Sequence, residues 1–172
     1  MKKKHEIFYY LLQSPVGQLL LVGNRDGLSR LQFQDGKHPY PIHSQWTKDR
    51  RVFENVIAQL KDYFDGKRKR FTVKLAQEGT EFQRRVWRAL RTIPYGETVS
   101  YGDIAKQIGN PQASRAVGAA NGNNPVSIIV PCHRVIGHNG KLVGFGGGLP
   151  IKRALLELER RHDGTDKAKQ KA

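Results

Sequence analysis

The sequence predicts an α+β chain: a small antiparallel sheet with one helix, followed by a mainly helical half built on a winged helix-turn-helix. Three observations carry this expectation. Residues 6–33 alternate short β-prone apolar runs with turn chemistry, residues 49–64 repeat apolar side chains at helical spacing, and from Thr80 onward capping signals and Gly or Pro breaks separate four helices.

The strands are expected at 7–12, 18–22 and 28–33, joined by Ser14-Pro15-Val16-Gly17 and Asn24-Arg25-Asp26-Gly27, both turn-forming sequences. A polar, proline-containing loop covers 35–46. The helix over 49–64 places Val52, Phe53, Val56, Ile57, Leu60 and Phe64 on one face, and Gly66 ends it. A short strand over 71–75 follows. This half carries no catalytic signature and is expected to be a support domain over 1–78, with the boundary at Ala76-Gln77-Glu78-Gly79.

Thr80-Glu81-Phe82-Gln83 has the form of a capping box and opens a helix with a buried stripe of Phe82, Val86 and Leu90. Arg84, Arg85, Arg88 and Arg91 lie largely off that stripe. Ile93-Pro94-Tyr95-Gly96 breaks the helix, and Ser100-Tyr101-Gly102-Asp103 caps the next, short one, which Gly109 closes. Pro111, at a first helical position behind Asn110, starts another helix through about Ala120. Two short helices around a Gly-containing turn form a helix-turn-helix. The second helix holds a single charge, Arg115, among Ala and Gly, whereas a major-groove reader carries several long polar side chains. Small residues suit a close, sequence-tolerant approach to a minor groove, and equally a tightly packed core helix.

The apolar run Val126-Ser127-Ile128-Ile129-Val130 is expected as a strand ending at Pro131, with Cys132-His133 directly after it and Gly137-His138-Asn139-Gly140 as the following turn. Cys132 is the only cysteine. A buried structural thiol is one reading; a nucleophile served by His133 is the other, because the thiolate is the reactive form. On a strand the two side chains would face opposite sides, so the second reading requires a bend in the backbone or a bridging water. Residues 141–148, ending in three glycines, form a flexible loop in the place of a wing and lack the signature of a nucleotide-binding loop. Leu149-Pro150 opens the last helix, with Ile151, Leu155, Leu156 and Leu158 as its apolar arc. Glu159 falls inside that arc, where an unpaired carboxylate is costly. It either pairs with an arginine such as Arg134 or orients His133 in a Cys–His–Glu arrangement. A helix-turn-helix domain over 79–163 and a disordered basic tail over 164–172 complete the expected organisation.

Composition narrows the function. Lys and Arg number 30 against 15 Asp and Glu, for a net charge of +15, and the pI is near 10.2, the footprint of a polyanion partner or of a merely basic soluble surface. One cysteine and six scattered histidines predict neither an internal disulfide nor a metal site. No apolar stretch predicts a membrane span or secretory leader, and a lone thiol suits a reducing, cytoplasmic setting.

With these residues assembled, the stretch from Phe82 to Glu159 resembles the O6-alkylguanine-DNA alkyltransferases, the methylated-DNA–protein-cysteine methyltransferase family. The resemblance rests on Pro-Cys-His-Arg-Val, on Arg-Ala-Val-Gly-Ala-Ala-Asn-Gly-Asn-Asn-Pro before it, and on the Ser-Tyr-Gly helix start. The first half fits the family's RNase H-like N-terminal domain in element order. The resemblance implies a monomeric, cofactor-free, metal-free DNA-repair protein, nucleoid-associated when bound, that binds duplex DNA through the minor groove and flips O6-alkylguanine (less well O4-alkylthymine) into a pocket. Cys132 would accept the alkyl group irreversibly, His133 would act as base through a water, Glu159 would orient His133, and Asn124 would hold the turn before the thiol. Arg115 would fill the gap left by the flipped base, Tyr101 would press on the adjoining phosphate and approach the guanine ring, and Ala113, Ser114, Gly118 and Ala119 would line the DNA contact. Val135, Asn121, Phe145 and Gly146 would line the pocket, Phe145 standing where many members carry tyrosine. A non-enzymatic helix-turn-helix lesion sensor or regulator is the alternative, and a Cys–His hydrolase a third reading. Neither explains both a nucleophile and a basic surface.

Overall fold

The computed structural model describes residues 5–164, so that residues 1–4 and all but Gly164 of the expected tail lie outside the described residues. The chain divides in sequence between Glu78 and Gly79 into two compact units.

In the first unit, β1 (Phe8–Ser14), β2 (Gly17–Asn24) and β3 (Gly27–Phe33) form the antiparallel meander that the apolar runs and turn sequences predict. Leu19, Leu20 and Leu21 of the central strand are wholly buried, so both of its faces are covered. Directly after the polar loop comes an element that the sequence hides, β4 (Thr47–Lys48), which pairs parallel with β1 and completes the sheet order β3-β2-β1-β4. Two residues are too few to leave a period in the sequence. Asp49 accepts from the Arg51 amide and caps a 3₁₀ turn, Arg50–Phe53, that runs into α1 (Glu54–Phe64). The buried face of α1 is Val56, Ile57, Leu60 and Tyr63 together with Gln59, while Phe64 is only half-buried.

The strand expected over 71–75 is absent. In its place an extended segment touches the sheet through one bridge, Leu75 to Leu28. The Gln59 amide supplies the segment's missing partners, accepting from the Thr72 amide at 2.9 Å and donating to the Thr72 hydroxyl at 3.0 Å. Gly27 makes this crossing possible: a side chain there would stand 2.8 Å from the Lys74 carbonyl.

The second unit begins at the predicted capping box. The Gln83 amide donates to Thr80 Oγ1 and the Thr80 amide to Gln83 Oε1, starting α2 (Glu81–Leu90). Val86, Trp87, Ala89 and Leu90 are buried, whereas Phe82 is half-exposed. A second capping box, Ser100 with Asp103, starts α3 (Tyr101–Gln107), and Gly109 follows at φ +81°. The second helix of the helix-turn-helix pair, α4, is Ser114–Gly122 and does not begin at Pro111: the Ala113 amide donates to the Asn110 carbonyl and closes a turn over Pro111 and Gln112. The Trp87 indole locks α2 to α4 by donating to the Ala120 carbonyl at 2.9 Å.

The largest correction concerns 126–130. This run is not a strand but a buried sequence of turns, closed by Ile129 N to Ser127 O and Val130 N to Val126 O. Ile128 sits at φ +71°, a backbone region that a β-branched residue occupies only when its surroundings force it there. A 3₁₀ turn, Cys132–Arg134, follows, and the strand comes after the thiol instead of before it: β6 (Val135–Ile136) pairs parallel with β5 (Val99–Ser100). The loop over 141–148 then leads to α5 (Leu149–His162) with Pro150 in its first turn. Among the described residues no helix is long and apolar enough to cross a membrane.

Candidate active site

The 3₁₀ turn removes the geometric objection to a Cys132–His133 partnership. At three residues per turn, neighbouring side chains splay by about 120° and do not alternate across a sheet. Cys132 is 4% exposed and His133 wholly buried, both held by what precedes and follows them.

Asn124 fixes the approach to the thiol. Its Oδ1 accepts from the Val126 amide at 3.0 Å, and its Nδ2 donates to the carbonyls of Val126 at 3.3 Å and Val130 at 2.9 Å. One buried side chain thereby spans the turn containing strained Ile128. Burial pushes the Cys132 thiol above its ordinary pKa, while the Asn124 amide, the Lys152 charge and the Ser127 hydroxyl pull it back toward the thiolate. Asn121, also buried, donates to the Cys132 carbonyl at 3.4 Å.

His133 Nε2 lies 2.5 Å from Glu159 Oε2. A carboxylate only accepts, so Nε2 carries the proton and Nδ1 keeps its lone pair. That Nδ1 is buried and has no protein partner among the described residues. Burial lowers the His133 pKa below its usual value, with Glu159 opposing and Arg134 and Lys152 assisting. Burial raises the Glu159 carboxyl, but hydrogen bonds and charge from His133 and Arg134 outweigh it and hold the group well below the usual carboxylate range. Glu159 also takes Arg134 Nε at 2.7 Å and the Gly96 amide at 3.2 Å on Oε1. The two pairings open to Glu159 from sequence are therefore both present, one on each oxygen.

Lys152 is the residue that sequence reasoning passed over. It is fully buried, and its ammonium donates to the Val135 carbonyl at 2.6 Å and the Val143 carbonyl at 3.1 Å. The buried arc of α5 is Lys152, Leu155, Leu156 and Glu159, while Ile151 and Leu158 are half-exposed. The spacing i, i+3, i+4, i+7 from Glu159 back to Lys152 was the available signal.

Tyr101 Oη donates to the Val143 carbonyl at 3.2 Å, and burial together with the Cys132 charge raises the Tyr101 pKa. Tyr101, Ser114, Arg115 and Gly118 line one hollow of about 410 Å³ together with Gly137 and His138. Arg115 and Ala119 are exposed, and Ala113 is half-buried at the start of α4. Val135 is buried directly behind the 3₁₀ turn, whereas Phe145 and Gly146 lie on the loop before α5, half-buried and exposed.

Comparison with known proteins places this geometry. Residues 81–161 match the model of the 6-O-methylguanine DNA methyltransferase DNA-binding domain, and residues 7–77 match that of the ribonuclease-like domain. A methylated-DNA–protein-cysteine methyltransferase of Methanosarcina acetivorans is 54% identical over 153 residues, covering 89% of this chain and 98% of its own. One from Mycolicibacterium paratuberculosis is 54% identical over 156 residues, covering 91% and 94%. The crystal structure of Mycobacterium tuberculosis OGT in complex with DNA superposes with a TM-score of 0.84 at 52% identity, covering 90% of this chain and 94% of that one. The chain belongs to the methylated-DNA–protein-cysteine methyltransferase family.

Proposed function

We propose that this protein repairs duplex DNA by transferring the alkyl group of O6-alkylguanine, and less well of O4-alkylthymine, to Cys132 in a single irreversible event. The observation that carries the reading is the buried array of Cys132, His133 and Glu159, with Tyr101, which lines a hollow together with Ser114, Arg115 and Gly118, near enough to Cys132 to feel its charge.

The chemistry follows from the array. An ether carbon is a poor electrophile, so the reaction needs a thiolate, and in the free protein burial holds Cys132 as the thiol. His133 Nδ1, a buried lone pair without a protein donor among the described residues, takes the proton by way of a bridging water, and Glu159 fixes the tautomer that leaves Nδ1 available. The sulfur then attacks the alkyl carbon. The S–C bond forms as the C–O6 bond breaks, and the electron pair and a proton go to the departing guanine. A second thiol to resolve the thioether is missing from the sequence, so each molecule reacts once.

Reaching the thiol requires the base to leave the helix, at a cost of a few kcal/mol that is smaller for a mispaired lesion. Arg115, exposed on α4, is suited to fill the gap, and Gly118 and Ala119 let the α4 backbone approach a minor groove closely. Asn121, Val135, Phe145 and Gly146 line the pocket for the extruded base. The first unit serves as support, the protein acts as a monomer, and its setting is the cytoplasm. The test is incubation with duplex DNA carrying labelled O6-methylguanine. Label should appear on Cys132 and stop at one equivalent, and Cys132→Ser should bind DNA without accepting label. Repeated turnover, or label on another residue, would overturn the reading.

A further inference from the structure

The resemblance and the mechanism leave Arg134 without a role, yet its side chain is buried and fully engaged. It is 6% exposed; Nε donates to Glu159 Oε1 at 2.7 Å, Nη1 donates to the Ile93 carbonyl at 2.7 Å, and the guanidinium stands 5.7 Å from the centre of the Tyr95 ring. It leaves the same 3₁₀ turn as Cys132 and His133, so thiol, imidazole and guanidinium are three successive side chains on one tight bend.

We propose that Arg134 is a positioning residue for alkyl transfer: by occupying one oxygen of Glu159 it keeps His133 neutral, with Nε2 protonated and Nδ1 free to accept the thiol proton. The inference rests on the transfer reading above. The reasoning is a charge count in a buried space. A carboxylate next to an imidazole alone favours the imidazolium, because proton uptake makes an ion pair where an unpaired anion stood. Arg134 is always charged and already balances Glu159. A proton added to His133 would then be a second cation on one carboxylate, in a space buried from bulk solvent. An imidazolium cannot serve as base, so without Arg134 the same Glu159 that orients His133 would also disable it.

The other groups around the pair point the same way. From α5 come Glu159 and Lys152, the latter a further buried cation that opposes protonation of His133. From the segment after α2 comes Tyr95, whose pKa burial and the Glu159 charge push up to about 12, so it stays neutral and offers Glu159 no charge. From the turn itself comes Cys132. Arg134 is thus a permanent cation in hydrogen-bond contact with the Glu159 carboxylate.

The test measures single-turnover transfer from free O6-benzylguanine between about pH 5 and pH 9 in the full chain, for the unchanged protein, Arg134→Met and Arg134→Lys. The midpoint of the acid limb should rise by about one pH unit or more in Arg134→Met, which is about tenfold in rate on that limb, and Arg134→Lys should restore most of it. Adding Glu159→Gln to Arg134→Met should cancel the rise, since no carboxylate then remains to hold a proton on His133. A uniform loss of rate with an unmoved midpoint would show a merely structural ion pair and overturn the proposal, as would a rise that persists in the double variant. NMR titration of labelled His133 in Cys132→Ser protein, with and without Arg134→Met, gives the same answer without any transfer: the imidazole should take its proton at higher pH once the guanidinium is gone, and an unchanged titration would refute it. Absence of transfer by the unchanged protein at every pH would sink the transfer reading, and leave the titration to decide the role of Arg134 by itself.

Discussion

Asn124→Ala is the substitution whose consequences can be worked furthest. The side chain is 5% exposed and makes three backbone hydrogen bonds, to the Val126 amide and to the Val126 and Val130 carbonyls, in a turn where Val126 and Val130 are wholly buried. At about 1 kcal/mol each, the lost bonds amount to about 3 kcal/mol. Part of that returns, because Ile128 at φ +71° holds about 1–3 kcal/mol of backbone strain that the turn can release once its brace is gone. The net loss of stability should be about 2 kcal/mol, read from urea denaturation of the variant beside the unchanged protein. The functional loss should exceed the structural one. Relaxation of the turn moves Pro131 and Cys132, and a misplacement of about 1 Å at a reacting atom costs about 100-fold in rate. Single-turnover transfer from O6-benzylguanine measures this. A variant within about 0.5 kcal/mol of the unchanged protein and with the same transfer rate would refute the claim that Asn124 sets the thiol's position.

Three further outcomes are expected. Arg115→Ala should slow repair of O6-methylguanine in duplex DNA by about tenfold or more while leaving reaction with the free base unaffected, because the side chain is exposed on α4 and acts on the helix and not on the sulfur; equal losses on the two substrates would remove it from base flipping. Lys152→Gln should cost about 2 kcal/mol by leaving the Val135 and Val143 carbonyls poorly paired, and should slow transfer near neutral pH more than at high pH, since the thiolate loses its nearby cation; a rate ratio that does not change with pH would contradict this. Stability should fall in two stages on acidification. Burial keeps His133 below its ordinary 6.5, so the unfolded chain binds a proton there that the folded one refuses, and stability drops as pH falls below about 6.5. Glu159, held low by His133 and Arg134 against its burial, contributes stability that is complete above about 4.5 and is lost as pH falls further. A urea midpoint that rises on acidification from pH 7 would reverse both signs.

The meander, α1 and both capping boxes are legible in the sequence because each has a local cause: alternating apolar runs with turn residues between them, a helical repeat, and a hydroxyl three residues ahead of a polar partner. Where the reading failed, a long-range cause had taken over. Val126 to Val130 has the composition of a buried strand, and a buried run has no period to separate strand from turn; what decides it is the Asn124 side chain, which replaces the partners of a strand with its own amide. The segment 71–75 failed for a similar reason, its backbone being met by Gln59 in place of a neighbouring strand. Pro111 suggested a helix start, but the Asn110 carbonyl closed a turn first. In the site, Cys132, His133 and Glu159 were visible as residue types in suggestive places, and Glu159 stood out because a carboxylate on an apolar arc demands a partner. Lys152 shares that arc and stayed hidden because a lysine is ordinarily taken as solvated, and nothing nearby in sequence announces the two carbonyls that receive it.

The central claim is that one sulfur atom takes one carbon from a damaged base. Intact-mass measurement and peptide mapping after exposure to free O6-benzylguanine test it most directly. The account predicts a gain of a single benzyl group, located on the peptide containing Cys132 and absent from Cys132→Ser; an unchanged mass, or a benzyl group on any other residue, would contradict it.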